Sequence, residues 1–262
     1  MIVLVRGMRD WLKSILVSAM SLLTGLLLWQ YCLSNGNDVG LMPSPSAIFS
    51  ALQELIHSGE LWLHATASIK RLVPGWISGV CIGWFTGVLI GISVTAFRLV
   101  APWLVLLFPV PKIALFPAFI LFLGIGESAR ISIVFVGVFF PVVYCVWQSV
   151  LSVPASLIDM GKSFGLSPFS IVWRIIIPGS LPGVFLSCRL TIAIALILLL
   201  AAEMLGANEG LGAFIVGAGS MAMLDQLFAG VTVLSFFSLF MFCVLGLLEK
   251  YYVHWSGSAR LW

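Results

Sequence analysis

ISIVFVGVFFPVVYCVWQSVLSVPASLI, residues Ile131–Ile158, carries no charged side chain, and the polar stretch Asp159-Met160-Gly161-Lys162-Ser163-Phe164-Gly165 follows at once. An ion at bilayer depth costs roughly 2.5–3.5 kcal/mol on insertion scales, so a long uncharged apolar run ended by charges reads as a membrane-crossing helix that emerges into water. Working outward, further uncharged runs cover 14–37, 72–97 and 226–248. Each exceeds the ~20 residues that cross ~30 Å of hydrocarbon. Two more apolar stretches are interrupted, 99–124 by Lys112 and 183–205 by Arg189 and Glu203. The expected fold is therefore an all-α integral membrane protein of about six transmembrane helices.

Composition points the same way. With 61% hydrophobic and 9% charged residues and a mean hydropathy of +1.16, the apolar surface exceeds what one soluble globule can bury. Membrane lipid is thus an expected partner. The net charge of +3 is dispersed, which leaves no basic patch to hold a nucleic acid. Cys32, Cys81, Cys145, Cys188 and Cys243 lie singly in apolar runs and read as reduced, buried thiols rather than disulfides or a metal cage. Histidines at 57, 64 and 254 are too spread for metal or acid–base chemistry, so neither a metal site nor a catalytic residue is expected.

Basic residues set the expected orientation. Arg6, Arg9, Lys13, Arg98, Lys162, Arg174, Lys250 and Arg260 fall on one side of a six-span alternation, the side read as cytoplasmic, with both termini inside. Lys70 and Arg71 run against the trend. The first run is too long for a secretory leader and lacks a clear small-residue cleavage site, so it reads as a retained anchor with Trp11 and Trp29 near its interfaces. The divisions are 1–41, N-terminus and anchor; 42–71, an outer segment; 72–252, a core of five spans containing a loop at 151–182; and 253–262, a tail. Within the outer segment Met42–Ser46 reads as an extended, capped entry to a short amphipathic helix, Ala47–His57. His57 and His64 read as interfacial polar groups.

The loop has its own architecture. Val153-Pro154 closes the fourth span, Ala155–Phe164 forms a short helix, and Gly165 ends it in the left-handed conformation glycine takes readily. A second short helix, Pro168–Ile176, is expected to stop near Pro178, so the loop becomes an elbow with prolines at both exits. Gly161-Lys162-Ser163 mimics the end of a phosphate-binding loop, but Ser156 stands where that motif needs glycine. The match fails, and the chain is not expected to hydrolyse nucleotide itself.

Discontinuities mark the candidate path, because backbone freed by proline is tolerated at membrane depth only where protein or a water-filled cavity covers it. Pro109, Pro111 and Pro117 crowd the third span with Lys112 between them, roughly 15 Å beyond Pro102 if the helix is regular. Three roles for Lys112 stay open: attracting an anionic substrate, snorkelling to headgroups, or pairing with a carboxylate such as Glu203. Glu203 precedes Gly206, Gly210, Gly212, Gly217 and Gly219, a segment suited either to an outer gate or to turns and close packing. Arg189 is placed to snorkel.

The elbow resembles the coupling signature of permease subunits of ATP-binding-cassette importers, Glu-Ala-Ala, three residues, Gly, nine residues, Ile, one residue, Leu-Pro. Asp159, Met160 and Gly161 occupy the lead positions, Gly165 the glycine, Ile175 the isoleucine, and Ile177-Pro178 the closing pair. The lead letters differ, so docking geometry is expected to depart from the family norm, and Gly161 weakens the helix by about 1 kcal/mol relative to alanine.

From Met42 to Tyr252 the chain further resembles the taurine, alkanesulfonate and nitrate permease family. The carriers are Pro43-Ser44-Pro45-Ser46, Gly59-Glu60-Leu61-Trp62 with His64 and Ser68, Pro109-Val110-Pro111, Leu123-Gly124-Ile125-Gly126-Glu127-Ser128, Gly165, Pro178 with Pro182, and Ala202-Glu203-Met204-Leu205-Gly206 through Gly210-Leu211-Gly212. The resemblance implies a type I importer permease fold in a bacterial inner membrane, acting as a homodimer with two cytoplasmic ATPases and a periplasmic binding protein. ATP and Mg would sit on the ATPases, and this chain would bind no cofactor. It implies ATPase coupling through Asp159, Met160, Gly161, Lys162, Gly165, Ile175, Pro178 and Pro182. It also implies a small anionic solute of sulfonate, taurine, nitrate or organic-acid type. A channel or secondary carrier is the competing reading, but it has no use for the elbow, and no repeated half is visible.

Overall fold

Backbone amides cannot be left unpaired in hydrocarbon, so an apolar chain that crosses a membrane folds either into helices or into a closed barrel. The computed structural model describes residues 2–34 and 42–253, with side chains of the first helix described at 16–32. Every regular element among the described residues is helical: α1 (Ile2–Ser34), α2 (Pro45–Ser58), α3 (Glu60–Ile92), α4 (Val94–Leu107), a 3-10 turn (Lys112–Leu115), α5 (Phe116–Leu123), α6 (Glu127–Leu151), α7 (Ala155–Ser163), α8 (Pro168–Ile171), a π-helical turn (Val172–Ile176), α9 (Ile177–Met204), α10 (Leu211–Ser220) and α11 (Leu224–Tyr252). The side chains of Arg6, Arg9, Trp11 and Lys13, and the tail 254–262 with His254 and Arg260, lie outside the described residues.

Four helical segments, Glu60–Ile92, Glu127–Leu151, Pro168–Met204 and Leu224–Tyr252, are long and apolar enough to cross a membrane. The third expected span takes a different form. Its two halves, Val94–Leu107 and Lys112–Leu123, are bent by 93° at the break between them. Pro109 and Pro111 cause this, because neither has an N–H for a helical ladder and each pushes the residue before it out of the helical region. Lys112 consequently lies past a corner, and the regular-rise estimate of its depth fails. If the bent pair counts as a fifth span, α1, with its apolar stretch Leu16–Cys32, occupies the place of the remaining run.

The chain divides into two units, Met1–Leu61 with Ile215–Thr232 and Trp62–Phe214 with Val233–Trp262. In the first unit the expected amphipathic helix forms as α2. Ser44 caps it by accepting from the Ala47 amide, Gly59 ends it at φ +81°, and Ile48, Ala51 and Leu55 are buried along one face. Gln30 of α1 binds Ser46 twice, through its amide nitrogen to the hydroxyl and through its oxygen to the backbone N–H, both at 3.2 Å.

In the second unit, α3 and α6 meet along a ladder of glycines against valines. Gly75, Gly79, Gly83, Gly87 and Gly91 face Val134, Val138, Val142, Val146 and Val150, and a Cβ on any of the five would come within 2.6–2.9 Å of the opposing valine. Each four-residue step returns to the same helix face, so absent side chains let two backbones close together where van der Waals packing replaces the hydrophobic effect. The other side of α6 packs on α9, where Gly137 receives Leu198 and Gly183 receives Ser149. Ile133, Val134, Val138, Val142 and Val146 of α6 join Ile192, Ala195, Leu199 and Ala202 of α9 in one buried core.

Two boundaries differ from expectation, and a third agrees. The second span ends at Ile92, and Ser93 opens the next helix by capping the Ala96 amide at 3.2 Å. The fourth ends at Leu151, beside the expected close at Val153-Pro154. The helix expected to stop near Pro178 continues instead as one 37-residue rod, Pro168–Met204. A π-helical turn at Val172–Ile176 makes this possible, since the Ile177 amide reaches back to Val172 and the widened turn accommodates the donor that Pro178 lacks. Of the five thiols only Cys188 is buried, while Cys32, Cys81 and Cys243 are exposed on the single chain. An apolar surface facing lipid has no need to hide them.

Candidate functional site

The elbow is assembled from residues close in sequence. Gly165, at φ +74°, lets its amide donate to Lys162 at 2.9 Å and the Leu166 amide to Gly161 at 3.0 Å. This pair of bonds is a Schellman cap, which turns the chain sharply after α7. Gly161 serves packing rather than merely weakening the helix: a Cβ there would lie 2.7 Å from Ile175 Cδ1 and 3.6 Å from Ile171 Cγ1. The lead triplet and the downstream isoleucine of the motif thus meet inside the elbow. Asp159 and Lys162 form a solvent-facing ion pair at 3.0 Å. Leu157, Met160, Phe164, Phe169 and Trp173 are exposed together on this short segment, Phe164 at 80%. Pro178 and Pro182 lie within the rod that leaves the elbow.

Lys112 sits at the corner of the bent pair. Its ammonium donates to three carbonyls, Leu107 at 2.7 Å, Phe108 at 2.9 Å and Val110 at 2.7 Å, and lies 4.8 Å from the Phe140 ring centroid. All three of its protons are therefore engaged on the carbonyl end that the break leaves open. Beside it a cavity of about 530 Å³ is lined by Phe97, Leu104, Phe108, Pro109, Tyr144 and Trp147, among others. The pairing of Lys112 with Glu203 is not formed.

Glu203 is committed elsewhere, in a cluster at the end of the rod opposite the elbow. Its carboxylate is 1% exposed, receives Arg71 at 2.7 Å and the Gly212 amide at 2.9 Å, and has Ser68 Oγ 2.9 Å from both oxygens. Arg71 also grips Glu127 with two nitrogens, at 2.5 and 2.9 Å, and donates to the Glu209 carbonyl at 2.7 Å. Arg130 donates to the Gly206 carbonyl at 2.7 Å. Arg71, Arg130 and Glu203 are buried while the Glu127 side chain is 58% exposed, so two buried arginines are balanced by one buried and one solvent-facing carboxylate. The stray basic residue of the orientation pattern, Arg71, is thereby explained. His64 accepts from the Gly210 amide at 3.1 Å and so belongs to this cluster rather than to an interface. Arg189, expected to snorkel, instead pairs with Glu249 of α11 at 2.6 Å and stacks on Phe242.

Sequence reasoning missed Ser68, Arg71, Glu127 and Arg130 as site residues and Glu249 as the partner of Arg189. A signal did exist, since charges in otherwise apolar runs must find partners of opposite sign.

The chain has known relatives. The chain is similar to a putative aliphatic sulfonates transport permease protein, SsuC, of Bacillus subtilis strain 168, 30% identical over 249 residues and covering 95% of this chain and 89% of that protein. The SsuC protein of Escherichia coli K12 is 31% identical over 234 residues, covering 89% of each chain. The taurine transport system permease protein TauC of the same organism is 30% identical over 200 residues, 76% of this chain and 73% of that one. Among solved structures, the MetNI methionine ABC transporter in an inward-facing conformation contains a chain that matches with a TM-score of 0.61 at 20% identity, covering 71% of this chain and 93% of its own. That likeness bears out the expected fold, a type I importer permease. Residues 79–254, more than half of the chain, match the binding-protein-dependent transport system inner membrane component family, and with these relatives at hand the chain belongs to that family as a permease subunit of an ATP-binding-cassette transporter.

Proposed function

We propose that two copies of this chain enclose the translocation path of an ATP-driven importer for small organic anions of the sulfonate type, supplied by a periplasmic binding protein and driven by two separate cytoplasmic ATPases that carry ATP and Mg. The elbow carries this reading. Its exposed Leu157, Met160, Phe164, Phe169 and Trp173 form an apolar surface beside the exposed Asp159–Lys162 pair, a combination suited to docking a soluble partner. In this reading Asp159, Met160, Gly161, Lys162, Gly165, Ile175, Pro178 and Pro182 form the coupling element, the elbow and both termini face the cytoplasm, and the multi-pass chain lies in a bacterial inner membrane.

The path runs beside the bent pair. Pro109 lines the apolar cavity, Pro111 and Lys112 shape the corner, and Glu203 stands at the far gate. The names of the relatives, for aliphatic sulfonates and for taurine, support an anion with an organic body. Affinity purification of the tagged chain in mild detergent tests the assignment. A co-purifying nucleotide-hydrolysing protein is expected, and its loss on exchanging Phe164 and Trp173 for serine. A chain that purifies without any ATPase overturns the reading.

A further inference from the structure

The rod that begins in the elbow ends at the buried carboxylate. Pro168–Met204 contains 37 residues, about 55 Å of helix at 1.5 Å per residue, far more than the ~30 Å of hydrocarbon requires. Near its start Ile171 and Ile175 pack on Gly161 inside the elbow. In its last turn Glu203 is bound at once by α3, through Arg71 and Ser68, and by the Gly212 amide beyond the turn.

The turn between α9 and α10 is held largely by these side chains. Three consecutive amides are each taken by one: Gly210 by His64, Leu211 by Ser68 at 2.9 Å, Gly212 by Glu203. Two of its carbonyls, of Gly206 and Glu209, are taken by Arg130 and Arg71. Gly206 and Gly210 stand at φ +128° and +127°, and a Cβ on Gly210 would overlap the Glu203 carboxylate. A turn built this way keeps its shape only while the arginines and the carboxylate keep theirs.

We propose that Arg71 and Glu203 are positioning residues of transport: they latch the α9–α10 turn, so that displacement of the elbow end of the rod is delivered to the opposite face as one rigid movement. The latch rests on the reading of the chain as an ATP-driven permease. Its role differs from that of a static staple, because the turn then moves whenever the elbow does.

Hydrogen–deuterium exchange on the complex co-purified with its ATPase tests this, with and without ATP plus vanadate. In the native complex, exchange at the elbow and at the Gly210, Leu211 and Gly212 amides is expected to change together on trapping. Glu203→Gln preserves shape but removes the charge that Arg71 holds. In that variant the three amides exchange about tenfold faster and ignore nucleotide, while the elbow still responds. Arg71→Lys, which keeps the charge but loses the fork, gives a partial effect and carries the test if Glu203→Gln fails to assemble. Native turn amides that ignore nucleotide while the elbow responds overturn the latch, as do unchanged amides in both variants. An elbow that itself ignores nucleotide overturns the importer reading and the latch with it.

Discussion

Within the elbow the bonds that set its shape join near neighbours: Gly165 to Lys162, Leu166 to Gly161, and Lys162 to Asp159 three positions away. At the other end of the same rod, Ser68 meets Glu203 across 135 positions and Arg71 meets Glu209 across 138. One end is a local motif with an exposed ion pair, and the other is a long-range knot around a buried carboxylate. The physical setting differs accordingly. Exposed charges are screened and add little, so the elbow relies on glycine conformation and aliphatic packing. Buried charges are strong, and they punish any unmatched partner.

Substitutions sharpen that contrast. The largest effect is expected at the knot: Arg71→Ala strands a fully buried Glu203 and should cost about 3–5 kcal/mol, read as a fall in unfolding midpoint in detergent. A loss below about 1 kcal/mol would place Glu203 in water and break the comparison. Next comes the glycine–valine ladder, also long-range but uncharged. Gly83→Leu drives a side chain into Val142 and should cost about 1–3 kcal/mol, while Gly25→Leu, with nothing within 4 Å, is neutral by the same measurement.

The elbow responds less in stability and more in function. Gly165→Val forces a β-branched residue to φ +74°, a strain of about 1–2 kcal/mol. ATP-driven uptake should fall while membrane insertion, followed by fractionation, stays intact. Gly165→Asn should recover much of the loss, since asparagine tolerates this conformation. Smallest of all is Asp159→Asn, which removes an ion pair exposed at 69% on the aspartate and 63% on the lysine. It should shift stability by about 0.5 kcal/mol or less, and a larger shift would mean that the elbow too depends on charge.

The elbow was legible because its determinants are few and local. Gly165 announces the turn, and the spacing from Gly161 to Ile175 brings the isoleucine side chain onto the bare backbone of the glycine. Yet the same local reasoning misjudged Gly161, counting only helix propensity, and misjudged Pro178, because whether a π-helical turn rescues a proline depends on the whole rod. The knot was only half legible. His64, Ser68, Glu127, Glu203 and Gly210-Leu211-Gly212 all stood out as separate tags, but nothing along the chain pairs a residue near 70 with carboxylates near 127 and 203. Lys112 marks the same limit: its proximity to prolines was evident, whereas the engagement of all its protons on Leu107, Phe108 and Val110 required the corner to be seen.

Sequence alone determined that this chain lives in a membrane as a set of helices, and that a short glycine-capped elbow interrupts them, because hydropathy and backbone preference act over one or two turns. Tertiary structure decided which helices touch, where the third span bends, and which acid answers which base. Those outcomes turn on distances between residues far apart in the chain, and a charge out of water is stable only when folding brings its counterpart to within about 3 Å.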